Sequence, residues 1–204
     1  MPKLHHTHIS STTPSDDIIY GRQALSAGEP WITPGSLAFL NLIISPTWHV
    51  FEWGSGGSTL YFGRNCASLV SVEHGQKWLN RIHARLLAEN LLNVTQIYKR
   101  GLPKGTPDRF RPYADVINVY PDSSFNLIFI DGEASSRGWC IANSIPKLIP
   151  GGYLLLDNSN MFIEKNSPIW TEWERDDYIE PGLKWVGQAG TFDWWTTIFR
   201  KPGE

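Results

Sequence analysis

The sequence predicts one α/β domain built on a doubly wound, mostly parallel sheet of seven strands. The first observation is that short apolar runs alternate with helical segments over residues 31–204, which is typical of parallel sheets with right-handed crossovers. The second is a C-terminal pair of strand-like runs, at 184–186 and 194–199, separated by a turn that contains glycine. This pair predicts an antiparallel hairpin at the edge of the sheet. The third is the length, because 204 residues correspond to one domain.

Five apolar runs are the predicted parallel strands. The run at 125–130 is almost continuously apolar, as expected of a strand covered on both faces of a sheet. Trp78, Ile82 and Leu86 recur every four residues and predict a helix between the second and third strands. A further helix at 140–148 precedes the fifth strand. The predicted strands are 48–52, 67–72, 94–98, 125–130 and 153–156.

The composition limits the classes of function. Hydrophobic residues make up 41% of the chain and charged residues 19%, which supports a packed core. Eighteen Lys and Arg against 20 Asp and Glu give a net charge of −2, without the basic excess typical of nucleic-acid or membrane surfaces. We therefore expect no nucleic-acid or membrane partner, and a polar N-terminus without a signal peptide predicts a cytoplasmic protein. Cys66 and Cys140 are interpreted as core residues.

Residues 1–30 are interpreted as a polar N-terminal arm ahead of the domain at 31–204. The arm carries one apolar anchor, at 18–20, and one hypothesis is that it folds over the functional site as a lid. Ten tryptophans are unusual for a chain of this length. Some of those outside the predicted parallel strands could form an aromatic wall for an acceptor or a contact within a homo-oligomer, and the rest are interpreted as packing residues. The tryptophans outside these strands are Trp31, Trp139, Trp170, Trp173, Trp194 and Trp195.

Acidic residues end four of the predicted parallel strands, where open α/β sheets bind their ligands. They are Glu52, Glu73, Asp131 and Asp157. The most informative segment runs from Glu52 to Thr59, Glu-Trp-Gly-Ser-Gly-Gly-Ser-Thr, in which glycines permit a tight turn and a close approach to a ligand. A dinucleotide site would have Gly or Ala in place of Thr59. A carboxylate ~5 Å from a pyrophosphate would also cost about 3 kcal/mol at an effective dielectric constant of ~20, so Glu52 favours a cationic ligand.

This segment resembles the first motif of the class I S-adenosylmethionine-dependent methyltransferases, an acid, any residue and then Gly-x-Gly. The family's third glycine is replaced here by Gly57-Ser58. The resemblance continues through 125–132, 148–152 and the terminal hairpin, so that it covers about residues 31–201. It implies a Rossmann-like methyltransferase fold, S-adenosylmethionine as cofactor, and an enzyme that transfers a methyl group.

The resemblance also implies roles for individual residues. Glu52 and the turn from Gly54 to Gly56 would hold the methionine end of the cofactor. Glu73, 19 residues after Gly54, would bind the ribose hydroxyls. Alternatively, Glu52 is a capping or solvated acid, Glu73 favours the dipole of the helix that follows it, and Ser58 and Thr59 only satisfy backbone groups. The expected cofactor-binding residues are Glu52, Gly54, Ser55, Gly56, Ser58, Thr59, Glu73, His74, Asp131 and Gly132.

Asp131 and Asp157 are the predicted catalytic residues. Methyl transfer is an in-line displacement that needs a positioned acceptor, and a base if the acceptor carries a proton. In the family's strand order these two residues end adjacent strands, so their carboxylates should face one crevice. The Asn/Asp-Pro-Pro-aromatic signature of adenine and glutamine amino methyltransferases is absent after the fourth strand. Neither cysteine follows a proline, as the nucleophile of cytosine C5 methyltransferases does. A small-molecule acceptor methylated at oxygen is the remaining expectation.

Asp131, Asp157 and Asn158 support a second interpretation, because they resemble the metal-binding triad of the catechol O-methyltransferase group. Two carboxylates and an amide oxygen suit Mg²⁺. The group's lysine base is replaced here by Ala134, and the nearest basic residue, Arg137, is a poor proton acceptor. The Asp157-Asn158 pair could instead form a turn.

Two further classes of function remain open. One is an aminopropyltransferase resembling spermidine synthase, which uses a decarboxylated form of the same cofactor on the same fold and needs acidic groups for a polyamine. The other is a non-catalytic nucleotide-binding or interaction module. A nicotinamide-dependent dehydrogenase is a more distant alternative.

Overall fold

The computed structural model describes residues 6–9, 24–161, 168–183 and 192–203. Its strands are β1 (His6–Ile9), β2 (His49–Trp53), β3 (Ser68–Glu73), β4 (Val94–Tyr98), β5 (Phe125–Ile130), β6 (Leu148–Asp157), β7 (Glu174–Leu183) and β8 (Phe192–Arg200). They form one sheet in the order β1-β7-β8-β6-β5-β2-β3-β4. Strands β2 to β6 are mutually parallel where they pair, and β8 runs antiparallel to β6 and β7. This confirms the doubly wound, mostly parallel sheet and its C-terminal antiparallel strands.

Helices connect the parallel strands and cover both faces of the sheet. The first begins at Pro34, whose fixed φ suits the first helical position, and it ends ahead of Pro46. The third buries Ile82 and Leu86 on one side, as their spacing predicts. The helices are α1 (Pro34–Ile43), α2 (Gly57–Asn65), α3 (Gln76–Ala88), α4 (Arg111–Ala114), α5 (Arg137–Lys147) and α6 (Pro168–Thr171), with 3₁₀ turns at Asp115–Val119, Ala134–Ser136 and Ser159–Met161.

The core lies in two layers, one on each face of the sheet. Along β2, Phe51 and Trp53 enter one layer and Val50 enters the other, since successive side chains of a strand point to opposite faces. Strand β5 divides in the same way and is almost fully buried, which confirms that the sheet is covered on both of its faces here. Cys66 and Cys140 are free and buried, as expected of core residues.

The N-terminal arm contributes an eighth strand beyond the predicted seven. Strand β1 pairs in parallel with β7 at the edge of the sheet, and 24–27 forms one helical turn. No strand was predicted here, because the segment is polar and short. The predicted apolar anchor at 18–20 lies outside the described residues.

The bounds of three other elements differ from the sequence-based expectation. Helix α5 begins at Arg137, ahead of the predicted start at 140. Strand β6 begins at Leu148, ahead of the predicted start at 153, because it includes the Gly151-Gly152 pair near a register irregularity. Gly151 has φ of +75°, and its N–H still donates to the carbonyl of Lys201, the residue that follows the neighbouring strand β8. The first strand of the predicted hairpin, 184–186, lies outside the described residues. Over the described residues, β8 pairs with β6 on one side and with β7 on the other. Strand β7 was not predicted, because its four acids and one proline are not typical of a strand.

The site is positioned by the reversal of strand order. From β2 the chain builds outward through β3 and β4 on one side and returns to build β5 and β6 on the other. The carboxyl ends of β2, β3 and β5 therefore surround one crevice, which is where ligands bind in open α/β sheets.

Candidate active site

A cavity of about 1070 Å³ opens at the carboxyl ends of β2, β3 and β5. The segment 24–31 forms one of its walls, and the 54–58 turn and the loops after β3 and β5 supply the rest. The predicted site residues that line the cavity are Gly54, Ser55, Gly56, Ser58, Glu73, His74, Asp131 and Gly132. Three predicted residues, Glu52, Thr59 and Asp157, do not line it, and neither does Asn158.

The glycine turn needs glycine at its first position. Gly54 has φ of +97°, and a Cβ at this residue would lie 2.8 Å from the backbone carbon of Asp131. The turn can therefore approach the end of β5 only because residue 54 has no side chain. Its N–H bonds to the carbonyl of Val72 on β3 at 2.9 Å, which holds the turn between both neighbouring strands.

Glu52 lies beneath this turn and not in the cavity wall. Its side chain is fully buried, and Oε1 accepts hydrogen bonds from the hydroxyls of Thr59 and Ser71. Thr59 in turn accepts the N–H of Gly56 at 2.8 Å, and the hydroxyls of Ser71 and Ser55 lie 2.7 Å apart. Burial raises the pKa of Glu52 to about 7, although the hydrogen bonds oppose this shift. The carboxylate thus supports the turn from below through two hydroxyl groups.

Glu73 joins the glycine turn to the start of α3. Its Oε2 accepts the N–H of Ser55 at 3.1 Å, and its Oε1 accepts the N–H of Gly75 at 2.6 Å. The side chain lines the cavity although only 4% of the residue is exposed. A carboxylate has about four acceptor positions, so these two bonds leave capacity for a ligand's hydroxyl groups.

His74 lies between two acids at the cavity wall. Its Nδ1 is 3.3 Å from Oε1 of Glu73, and its Nε2 is 3.8 Å from Oε2 of Glu133. The rings of Phe110 and Tyr113 meet the imidazole edge-on, with centroids 5.5 and 5.8 Å away. These contacts fix the orientation of the imidazole ring.

The end of the N-terminal arm packs against the glycine turn. A Cβ at Gly57 would lie 2.1 Å from the carbonyl oxygen of Glu29, so the two backbones are in direct contact. Arg64 on α2 donates to the carbonyls of Ala27 and Gly28, which anchors the segment. Trp31 also lines the cavity and packs edge-on against Trp194, with ring centroids 6.1 Å apart.

Replacing Gly57 by Ala is expected to destabilise the protein by ~1–3 kcal/mol, because the new methyl group forces the segment 24–31 away from the turn. Gly203→Ala is the matched control, since a Cβ there would have no neighbour within 4 Å. Urea unfolding measures the loss, and limited proteolysis should show faster cleavage between residues 24 and 31. Equal stability of the two variants would show that this contact is not maintained in solution.

Several cavity residues were not expected from the sequence. Trp78 was assigned to the buried face of a helix, yet it is 37% exposed and its indole N–H donates to the carbonyl of Ser55. Glu29 and Arg81 were assigned to no site, and Glu133 was a candidate for the acceptor side only, as one of the polar residues after the predicted fourth strand. Glu29 follows a glycine and Glu133 lies just after the end of β5, whereas Arg81 lies within α3. None of these positions shows which way a side chain points.

The sequence-based interpretation expected Asp131 and Asp157 to face one crevice, but they do not. Asp131 lines the cavity, whereas Oδ1 of Asp157 accepts the indole N–H of Trp194 at 2.9 Å and the hydroxyl of Thr196 at 2.8 Å. Burial, together with the charge of Asp157, raises the pKa of Asp131 above its usual range. Because 28% of the Asp131 side chain is exposed, water offsets part of that effect. Burial also raises the pKa of Asp157.

The expected metal ligands do not form an open set of oxygen donors. The guanidinium of Arg137 contacts Asp131, the backbone carbonyl of Asp157 and, at 3.5 Å, Oδ1 of Asn158. In the part of the chain that the structure describes, no three His, Cys, Asp or Glu side chains are grouped to hold a metal ion. The residues present therefore do not fit a magnesium site of the catechol type.

Solved structures with the same architecture include proteins that act on different acceptors. One is a protein from Streptococcus mutans assigned as a methyltransferase and crystallised with SAH, with 14% identity, 82% of this chain and 97% of that chain covered, and a TM-score of 0.56. Another is an rRNA methylase from Streptococcus thermophilus (12% identity, 82% and 95% covered, TM-score 0.58). A third is the N-methyltransferase NodS from Bradyrhizobium japonicum (15% identity, 92% and 99% covered, TM-score 0.54). No protein-family model and no curated protein sequence matches the chain.

The chain therefore has the fold of the class I S-adenosylmethionine-dependent methyltransferases, as the motif around Gly54 implied. The S. mutans structure shows SAH bound in a protein of this fold. Over the described residues, no helix combines the length and apolarity required to cross a membrane.

Proposed function

We propose that this protein transfers a methyl group from S-adenosylmethionine to a small-molecule acceptor, at an oxygen atom. The observation that carries the proposal is the position of Glu73. Its buried carboxylate lines the cavity beside the glycine turn, at the point where strand order reverses. An acid at this position can accept the ribose hydroxyls of a nucleoside, and the turn allows the backbone to approach the rest of the ligand.

The charges around the cavity suit a cationic cofactor. Glu29, Glu73, Asp131 and Glu133 line it, against a single arginine, Arg81. Such a lining attracts a sulfonium or ammonium group and repels a pyrophosphate. When bound, S-adenosylmethionine would supply an electrophilic methyl group on sulfur. The chain's own part is to bind the nucleoside through Glu73 and to surround the positive charge with carboxylates.

Size and charge also support a small acceptor. Ligand cavities commonly measure ~300–1000 Å³, so about 1070 Å³ suits a cofactor together with one small acceptor. The acidic lining disfavours the phosphate backbone of RNA, although two of the similar structures are assigned as rRNA methylases. Asp131 is the candidate base for an acceptor hydroxyl, because its raised pKa makes it a better proton acceptor than an ordinary aspartate.

The segment 24–31 is proposed to complete the acceptor side of the cavity as part of the N-terminal arm. Glu29 and Trp31 place a carboxylate and an indole in this wall. A wall held by backbone contact with Gly57 and by Arg64 can exclude water from the reacting groups.

Isothermal titration calorimetry tests the proposal. The purified chain is expected to bind S-adenosylmethionine and S-adenosylhomocysteine, and to bind NAD and ATP far more weakly. Binding should be followed by turnover of radiolabelled methyl groups on a panel of phenols, alcohols, carboxylic acids, amines and RNA. Uptake of NAD or ATP in preference to the sulfur nucleosides would refute the cofactor assignment, and labelling of RNA or amines would refute the acceptor assignment.

A second candidate function is aminopropyl transfer, which the acidic lining also favours. Glu29 and Glu133 are charges that a polyamine could pair with. An assay with decarboxylated S-adenosylmethionine and putrescine distinguishes the two reactions. Binding of the cofactor without turnover of any acceptor would instead favour a non-catalytic module.

A further inference from the structure

The side chain of Arg137 joins the ends of β5 and β6 behind the cavity. Its Nε donates to the carbonyl of Gly132 at 3.2 Å, and its Nη2 donates to Oδ1 of Asp131 at 3.2 Å. Its Nη1 donates to the backbone carbonyl of Asp157 and lies 3.5 Å from Oδ1 of Asn158. The side chain is 6% exposed, so the positive charge is almost entirely removed from water.

A buried guanidinium must be compensated by charge and by hydrogen bonds. Here both come from the ends of β5 and β6. We call these strand ends the reacting face, because Asp131, the candidate base, lies there. The planar group has five N–H donors and stays charged at any ordinary pH, which lets it serve several oxygens at once. The carboxylate of Asp157 is already engaged by Trp194 and Thr196, so Arg137 reaches that residue through its backbone carbonyl.

Apart from the carbonyl of Gly132, the oxygens that this cation contacts belong to the three residues expected to bind a metal. A divalent ion at the same place would meet a fixed positive charge and one carboxylate turned toward β8. The guanidinium therefore takes both the position and the electrostatic role that the ion would have.

We propose that Arg137 is the resident cation of the reacting face, which replaces a divalent metal among Asp131, Asp157 and Asn158 and holds the Asp131 carboxylate toward the cavity. Arg137 is a positioning residue, since it does not line the cavity and acts through Asp131. The role of Asp131 in transfer rests on the function proposed above. The prediction that no metal is required does not rest on that function, because metal binding is measured without turnover.

Manganese binding, followed by electron paramagnetic resonance, tests the replacement of the metal. The wild-type chain is expected to leave Mn²⁺ free in solution, and treatment with EDTA is expected to leave S-adenosylmethionine binding unchanged. Stoichiometric Mn²⁺ binding that Asp157→Asn abolishes would overturn the proposal. If the chain binds neither Mn²⁺ nor S-adenosylmethionine, the proposed function is refuted, but the replacement of the metal by Arg137 is still supported.

The pH dependence of S-adenosylmethionine binding tests the positioning role. The charged and titratable groups around Asp131 are Arg137 on α5, Asp157 on β6, Glu52 on β2, Tyr113 on α4, and His74 and Glu133 at the cavity wall. Arg137 is the one of these that lowers the pKa of Asp131. Arg137→Met should therefore move the midpoint at which binding is lost on acidification to higher pH, while Arg137→Lys should keep it closer to the wild-type value.

Arg111→Met is the matched control, because Arg111 forms an exposed ion pair with Asp115 away from the cavity. Circular dichroism and thermal unfolding identify variants that fail to fold, and Arg137→Lys then carries the comparison with the wild type. A binding midpoint that is the same in Arg137→Met, Arg137→Lys and the wild type would overturn the positioning role, since a purely structural arginine would change affinity without moving the midpoint.

Discussion

Replacing Glu73 by Gln is expected to weaken S-adenosylhomocysteine binding at least about tenfold, because hydrogen bonds to a charged group contribute ~1.5–3 kcal/mol. Two effects add in this variant. The carboxylate that would accept the ribose hydroxyls is lost, and the new amide group meets the N–H of Ser55 or Gly75 with a donor in place of an acceptor. Calorimetry measures the affinity, and urea unfolding shows how much of the loss comes from the fold.

The ribose contact can be separated from damage to the turn by a double-mutant cycle on protein and ligand. The wild-type chain should bind the 2′-deoxy analogue of S-adenosylhomocysteine more weakly than the parent compound. In Glu73→Gln this difference should largely disappear. Glu174→Gln, on an acid of β7 that is 71% exposed, is the control and should preserve the full difference. A difference that is equally large in the Glu73 variant would remove Glu73 from the ribose site.

The sequence was most informative where backbone geometry is dictated by residue type. The glycines after β2 predicted the turn, and Gly54 is required there by its positive φ and by its contact with β5. Glu73 could be placed because it directly ends a parallel strand, and such ends meet at one edge of the sheet. Strand β7 could not be found, because two of its acids, Asp177 and Glu180, are buried, and a burial pattern that includes charges does not show as apolar alternation.

The direction in which a side chain points was the main quantity that the sequence left undetermined. Glu52 was expected to act on the ligand, yet β2 continues to Trp53 and turns Glu52 onto the face where Thr59 and Ser71 lie. Asp157 was expected beside Asp131, but Trp194 and Thr196 on β8 engage its carboxylate. Apart from the contact of Glu52 with Thr59, these contacts join different strands of the sheet, and such contacts are not encoded in local patterns.

Glu52→Gln is expected to stabilise the protein above pH 7 and to remove part of the pH dependence of its stability. The folded-state pKa of Glu52 is about 7, against 4.5 for an ordinary glutamate. Between these two values the folded protein binds more protons than the unfolded chain, so stability falls as pH rises through this window. At ~1.4 kcal/mol per pKa unit, the wild-type protein loses about 3 kcal/mol of stability as pH rises through this window. The neutral amide does not bear this cost, although its new N–H group must find an acceptor in the core.

Urea unfolding at about pH 5 and about pH 8 measures both effects. Asp131 and Asp157 also have raised pKa values, so they contribute a pH dependence of the same sign in both proteins. It cancels in the difference except for the part of the Asp131 shift that the charge of Glu52 causes, and the variant loses that part as well. The variant should also keep its affinity for S-adenosylhomocysteine within a few-fold, because the Gln carbonyl can still accept from Thr59 and Ser71. A loss of affinity as large as that of Glu73→Gln would mean that Glu52 acts on the ligand directly. Identical pH dependence in variant and wild type would mean that its carboxylate is not buried in solution.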